Sequence, residues 1–371
     1  MVKLIHCADI HLDTPFRSAT PEASAEGRRG LRRALSRLVE YARAEGVSAV
    51  LMAGDVFDSA TVTSDTVAFF KDTVSALPEC IFAIAPGNHD PSVEKGVWDA
   101  LAGVKNIHIF SKSEMEHIDL EGKNVRIYGY GFTSSTLESS PMIGFKPEDS
   151  GKVNILVAHA HVGDPLSPHC PVSEGDIEAS GFDYCAFGHI HAREGVKYAG
   201  KTPYAYSGCL VGRDFGETGE KGAITVTVSD DGVLTFGEVS FTDRTYEIST
   251  LDVSGALDTA ELRRRIVSRV SEYSPTVSLR IILSGQLPLE LNVDTVGLSA
   301  ELSSGVAYLE IEDNTVPTLD AATLEADPTI IGELYRELKP ILENGTAKER
   351  TAAARALRIG IAALKGEDIP L

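Results

Sequence analysis

Short apolar runs, each ending abruptly in a polar cluster, set the rhythm of the first half of this chain. Residues 2–7, Val47–Met52, Ile81–Ala85, Val153–Ala158 and Tyr184–Phe187 are dominated by apolar residues without regular polar alternation. That pattern predicts strands covered on both faces, as in parallel sheets. The runs are followed by Asp9-Ile10-His11, Gly54-Asp55-Val56-Phe57-Asp58, Pro86-Gly87-Asn88-His89-Asp90, His159-Ala160-His161 and Gly188-His189-Ile190-His191. From Gly30 to Glu45, Leu31, Leu35, Leu38, Val39 and Ala42 recur at helical spacing with arginines opposite. Residues 13–27 read as a loop. Further helices are expected at 64–77 and 93–102, and β segments near 107–110 and 124–130. A long loop then separates 153–158 from 184–187, and hairpin-like segments follow at 195–207 and 222–240. Strand, polar cluster and helix in repetition predict an α/β domain with its site on one rim, outside the carboxyl ends of the strands.

The pattern changes near Asp243. Strands are expected at 246–251, 276–283 and 306–311, with a helix at 257–272 that turns Leu262, Ile266, Val267 and Val270 inward. No clustered histidine, cysteine or paired-carboxylate motif occurs there. From about 320 to 365 the chain reads as helical. Ile330, Ile331, Leu334, Leu338, Ile341 and Leu342 make one apolar stripe; Ala353, Leu357, Ile361 and Leu364 make another. The expected domains are 1–243, 244–318 and a helical segment at 319–371.

Composition narrows the class. With 371 residues, 43% apolar and 24% charged, the chain is ordinary for a globular protein of two or three domains. No apolar run reaches the length of a membrane span, and the first residues run into polar ones without a secretory signal. Five cysteines, with no close pair, fit free buried thiols in a reducing compartment, so a cytoplasmic location is expected. The net charge of −20 argues against a basic nucleic-acid footprint spread over the surface.

The polar clusters supply carboxylates, an amide oxygen and imidazoles, without thiolate. Such donors suit Mn²⁺, Fe²⁺ or Zn²⁺. Seven candidates, Asp9, His11, Asp55, Asn88, His159, His189 and His191, exceed the needs of one ion and suit two. A pair of ions about 3.5–4 Å apart can activate water and neutralise a phosphoryl oxygen. One carboxylate must then bridge them, and Asp55 is the natural choice.

Taken together, these clusters resemble the five motifs of calcineurin-like metallophosphoesterases over the first two-thirds of the chain. Within that superfamily the sequence is most similar to SbcD-type DNA repair exonucleases, especially their YhaO-like branch. Ala8-Asp9-Ile10-His11-Leu12-Asp13, the stretch Gly181 to His191, Tyr206-Ser207-Gly208-Cys209 and Glu217-Thr218-Gly219-Glu220-Lys221-Gly222 carry this finer likeness. The resemblance implies a β-sandwich flanked by helices, a small α+β capping domain and C-terminal helices. It also implies ligand sets: Asp9, His11, Asp55 and His191 for one ion, and Asp55, Asn88, His159 and His189 for the other. His89 would contact the scissile phosphate and assist the leaving oxygen, with Asp90 orienting it. Asp58 stands where some relatives carry a substrate-contacting histidine, so their cleavage preference does not transfer. His161 has no clear role in the family and reads either as a support behind the ligands or as a polar strand-end residue, the latter being favoured; His6, His108, His117 and His169 read as structural or surface residues.

The implied function is Mn²⁺-dependent hydrolysis of DNA phosphodiester bonds, as the nuclease subunit of a repair complex. The alternative is a phosphodiesterase or phosphatase for small nucleotides. Expected partners are DNA and an SMC-like ABC ATPase, to which the C-terminal stripes would dock unless they pack on the capping domain. A homodimer through 64–77 and 93–102 is also implied, with Val67, Phe69, Phe70 and Trp98 as contacts, unless burial in the chain's own core accounts for these residues.

Overall fold

The structure is a computed structural model that describes residues 1–16, 21–288, 291–318 and 321–366. It divides into two compact units, Met1–Asp243 and Arg244–Leu371.

In the first unit the chain runs β1 (Val2–Cys7), α1 (Pro21–Glu45), β2 (Ala49–Met52), α2 (Ser64–Ser75), β3 (Ile81–Ile84), β4 (Ile107–Ile109), β5 (Glu116–Asp119), β6 (Val125–Gly129) and β7 (Val153–His159). It continues through β8 (His161–Val162), β9 (Pro171–Val172), α3 (Glu174–Ser180), β10 (Tyr184–Gly188), β11 (Val196–Ala199), β12 (Thr202–Tyr206), β13 (Ala223–Val228) and β14 (Leu234–Val239). Two six-stranded sheets form, ordered β14-β13-β1-β2-β3-β4 and β11-β12-β10-β7-β6-β5. Alternate residues of the apolar runs serve different layers. Leu4, Leu51 and Ala83 face the second sheet and meet Ile127, Ile155, Val157 and Ala186. Ile5, Val50 and Phe82 face the other way, onto Leu35 and Leu38 of α1 and Phe70 of α2. The outer face of the second sheet is covered by Ile177 of α3 with Phe182 and Met142. The result is a helix-flanked β-sandwich, as expected from sequence.

Several local expectations fail for physical reasons. Helix α1 starts at Pro21, nine residues before Gly30; residues 17–20 of the expected loop lie outside the described residues. Gly27 and Gly30 weaken its intrinsic propensity, but Gly27 lets the Phe16 ring lie against the helix, where a Cβ would stand 2.8 Å from it. The 93–102 segment is not an α-helix and holds only one 3₁₀ turn, Asp99–Leu101. Lys95 adopts φ 62°, Val97 N–H donates to Ala60 O, and Trp98 Nε1 donates to Asp90 O, so its donors are spent outside a helical ladder. Phe70 and Trp98 are also buried around Phe57, in the core of this chain rather than on a pairing surface. Strand β5 and helix α3 were not foreseen.

The second unit holds β15 (Thr245–Asp252), α4 (Thr259–Val270), β16 (Val277–Ser284), β17 (Gln286–Pro288), α5 (Thr295–Leu302), β18 (Tyr308–Asp313), β19 (Val316–Thr318), α6 (Ala321–Ala326), α7 (Ile330–Asn344) and α8 (Ala347–Lys365). Strands β15, β16 and β18 form a parallel sheet packed on Leu262, Ile266 and Leu298. Tyr335 of α7 closes on Leu357 and Ile361 of α8. Arg358 of α8 donates to Asp313 and Thr315, tying the helices to the end of β18. Ile330, Ile341 and Leu364 of the stripes stay exposed, as does Ile359 beside them.

Candidate metal centre

Register brings the polar clusters together. Cys7 pairs with Met52, and Met52 with Ile84, so β1, β2 and β3 end level; in the facing sheet His159 pairs with Gly188. The chain beyond β1 and β2 stays paired: Asp9 N–H donates to Gly54 O at 3.0 Å, and His11 N–H to Asp55 O at 2.9 Å. The second sheet is tied on by His189 N–H, which donates to the Asp9 carboxylate at 3.1 Å. At Gly188 a Cβ would stand 1.9 Å from Ala53 O, so only glycine lets the two sheets approach here. Asp9, His11, Asp55 and His189 hold left-handed backbone, with φ of 50°, 49°, 50° and 107°. Such conformations cost about 1–3 kcal/mol each and gather at functional sites.

The side chains converge with their acceptors inward. Among the described residues, three groups of donors lie within 4.8 Å of one another: Asp9 with His11 and His191, Asp9 with Asp55 and His159, and His11 with Asp58 and His89. His11 Nδ1 is 3.0 Å from Asp58 Oδ1, and His191 Nδ1 is 2.7 Å from Glu217 Oε1. Each imidazole therefore spends its proton outward, and the two bare Nε2 atoms face each other at 3.2 Å. His159 repeats the device. Its Nδ1 donates to Ala53 O at 2.9 Å, leaving Nε2 at 3.0 Å from Asn88 Oδ1 and 3.4 Å from Asp55 Oδ2. Lone pairs packed against lone pairs are unfavourable without a cation between them.

Electrostatics agree. Burial pushes His11 down to about 4 and also lowers His159, so both are neutral near pH 7, the form that ligates. Burial, then the charge of Asp55, raises Asp9 well above the usual carboxylate range. Burial opposes ionisation of Asp55 too, but at the acid pH where the carboxylate titrates the charge of protonated His159, His11 and His89 outweighs it and lowers its pKa. Two adjoining carboxylates in a closed space are thus in conflict, which a divalent cation relieves. The donor set of oxygen and neutral imidazole fits two borderline-hard divalent ions.

Asp9, His11, Asp55, Asn88, His159 and His191 are brought together as described. His189 contributes its backbone N–H, while its half-buried ring stands outside the three donor groups, 5.1 Å from the His159 ring. His161 and His169 flank the His189 ring at 4.9 and 5.1 Å, so His169 borders the centre rather than lying apart from it. His89 is exposed, with Nδ1 3.3 Å from Asp58 O. Asp90, expected to orient His89, spends its hydrogen bonds on backbone. Its buried carboxylate accepts Gly87 N–H at 2.7 Å and Phe57 N–H at 3.0 Å, stapling the loop after β3 to the loop after β2. Sequence reasoning gave no role to Glu217 or Arg213. Arg213 donates through Nε and a terminal nitrogen to Glu217, which also holds His191. Their signal was the Glu217–Gly222 loop itself.

A family model described as calcineurin-like phosphoesterase matches residues 2–193. An uncharacterized metallophosphoesterase, YhaO of Bacillus subtilis, is 29% identical over 297 residues, covering 76% of this chain and 72% of that protein. A DNA double-strand break repair protein Mre11 of Methanopyrus kandleri is 24% identical over 71% of this chain and 62% of its own. The Mre11 of Aeropyrum pernix is 28% identical over 57% and 54%. No helix among the described residues is long and apolar enough to cross a membrane.

Proposed function

The chain belongs to the calcineurin-like phosphoesterase family, and from that premise we propose that it hydrolyses DNA phosphodiester bonds at a pair of divalent cations. The observation that carries the reading is the inward convergence of the Nε2 atoms of His11, His191 and His159 on Asp9, Asp55 and Asn88. Asp9, His11, Asp55 and His191 would hold one ion; Asp55, Asn88, His159 and His189 the other. His189 joins them by a turn of its ring. Bound there, the ions supply an activated water and neutralise charge on the phosphoryl group. Mn²⁺ is the ion we favour. The His89 Nδ1–H donates to Asp58 O, and with a second proton on Nε2 the imidazolium would give that proton to the leaving oxygen and end as the neutral ring.

Similarity to archaeal proteins described as DNA double-strand break repair proteins supports DNA as substrate and a role beside an SMC-like ATPase, with the exposed apolar residues of α7 and α8 as the dock. The net charge of −20 favours a second reading, a phosphodiesterase for small nucleotides. Digestion of end-labelled single- and double-stranded DNA beside bis-p-nitrophenyl phosphate, with and without Mn²⁺, separates the two. Cleavage of the ester but of no DNA, even with the cognate ATPase, selects the second.

A further inference from the structure

Behind the centre runs a second line of contacts that joins two of its histidines. His11 leans on Asp58, and His191 leans on Glu217, each through Nδ1. Arg213 lies between these carboxylates. Nε is 3.1 and 3.2 Å from the two Glu217 oxygens, a terminal nitrogen is 2.5 Å from Oε1, and the other terminal nitrogen is 3.6 Å from Asp58 Oδ1. Arg213 N–H also donates to Glu217 Oε2 at 2.8 Å, and Cys209 Sγ lies 3.7 Å from the same atom. Arg213 and His191 Nδ1 are 3.0 Å apart because both donate to Glu217 Oε1. The side chains of Arg213 and Glu217 are 18% and 10% exposed, so this is an enclosed bridge and not a surface ion pair.

We propose that Arg213 is a positioning residue that sets the spacing of His11 and His191, the two imidazoles of one metal position, by clamping the carboxylates behind them. The inference rests on the dinuclear reading above. A planar fork with fixed donor directions does what a point charge does not: it fixes the angle between Glu217 and Asp58, and through them the angle between two rings. Two rival roles give different signs. A cation beside a dication repels it, so if Arg213 acts only as charge, removing it tightens metal binding. If it contacts the substrate phosphate directly, removing it raises KM and leaves the ions in place.

The test titrates the full chain with Mn²⁺ alone, by calorimetry and electron paramagnetic resonance, for the native protein, Arg213→Met and Arg213→Lys. The expected result is that the native chain binds two ions, whereas both variants keep one at native affinity and bind the second about 10–100-fold more weakly. The six-line signal of an isolated Mn²⁺ then persists in the variants at ratios where the native chain shows a coupled pair. Activity on bis-p-nitrophenyl phosphate returns with excess Mn²⁺ at unchanged KM. Equal or tighter binding of both ions overturns the inference, as does a raised KM with both ions retained. Should Arg213→Met fail to fold, Arg213→Lys decides alone; native binding by the lysine variant shows that charge suffices and the fork is not needed. If the native chain binds no pair of ions, the dinuclear reading falls first, and that outcome is distinct from the rest.

Discussion

Gly87→Ala probes the centre at its tightest point. A Cβ at position 87 would stand 2.2 Å from Asp55 Oδ1 and 2.7 Å from Asp55 N, whereas ordinary contact begins near 3.4 Å. The carboxylate must yield by 3.4 − 2.2 = 1.2 Å, and the backbone of the two loops must also part by 3.4 − 2.7 = 0.7 Å to reach ordinary contact. Asp55 Oδ1 now accepts His89 N–H at 2.9 Å, and that bond breaks. Overpacking of this kind costs about 1–3 kcal/mol of stability. A displacement of about 1 Å at a reacting group costs on the order of 100-fold in rate. If Asp55 bridges the two ions as proposed, both affinities fall together, unlike the single loss expected for Arg213 variants. Calorimetric Mn²⁺ titration beside turnover of bis-p-nitrophenyl phosphate measures this. Native affinity for both ions and native turnover in a folded Gly87→Ala protein would refute the placement of Asp55 between them.

Three further outcomes follow from the geometry. His89→Asn should lower turnover by about 100-fold or more while both Mn²⁺ ions stay bound, if His89 is the proposed proton donor and not a ligand; loss of an ion from this variant would make His89 a ligand. His6 is fully buried against Tyr184 Oη and Phe187 O, and burial lowers it to about 3. The unfolded chain takes a proton there below about 6.5 and the folded chain does not, so stability is full above that pH and falls by about 2 kcal/mol at pH 5. Urea unfolding in chelator should show a loss between pH 7.5 and 5 that is smaller by that amount in His6→Gln; an unchanged loss would remove His6 from the account. Leu357→Ala empties the contact between α7 and α8 and should cost about 2–5 kcal/mol in the second unit without changing Mn²⁺ affinity. A change in affinity would couple the units in a way nothing here anticipates.

The centre was legible because its ligands sit where apolar runs stop. A strand buried on both faces is written plainly in sequence, and a histidine or aspartate directly after it has nowhere to go but the rim. What lay behind the ligands was not legible. Glu217 and Arg213 fall in a glycine-rich loop whose charges look solvated, and only the turn between β12 and β13 carries them back to His191. Asp90 follows His89 directly, yet it faces backbone N–H groups of two loops, because consecutive side chains in an irregular turn need not share a direction. The false helix at 93–102 arose from Val93, Val97, Trp98 and Leu101, whose helical spacing is real. Burial against the β2 loop, with backbone donors diverted to Ala60, decided otherwise.

Donors from both sheets meet in this centre: Asp9, His11, Asp55 and Asn88 follow strands of one, His159 and His191 those of the other. An ion seated there would rivet two layers that are otherwise joined by their apolar faces and by a few hydrogen bonds, from His6, His159 and His189. On the dinuclear proposal, metal supply would then govern more than catalysis: it would set how readily the sandwich parts at its open rim, and so how long the molecule resists a protease when the ions are withdrawn.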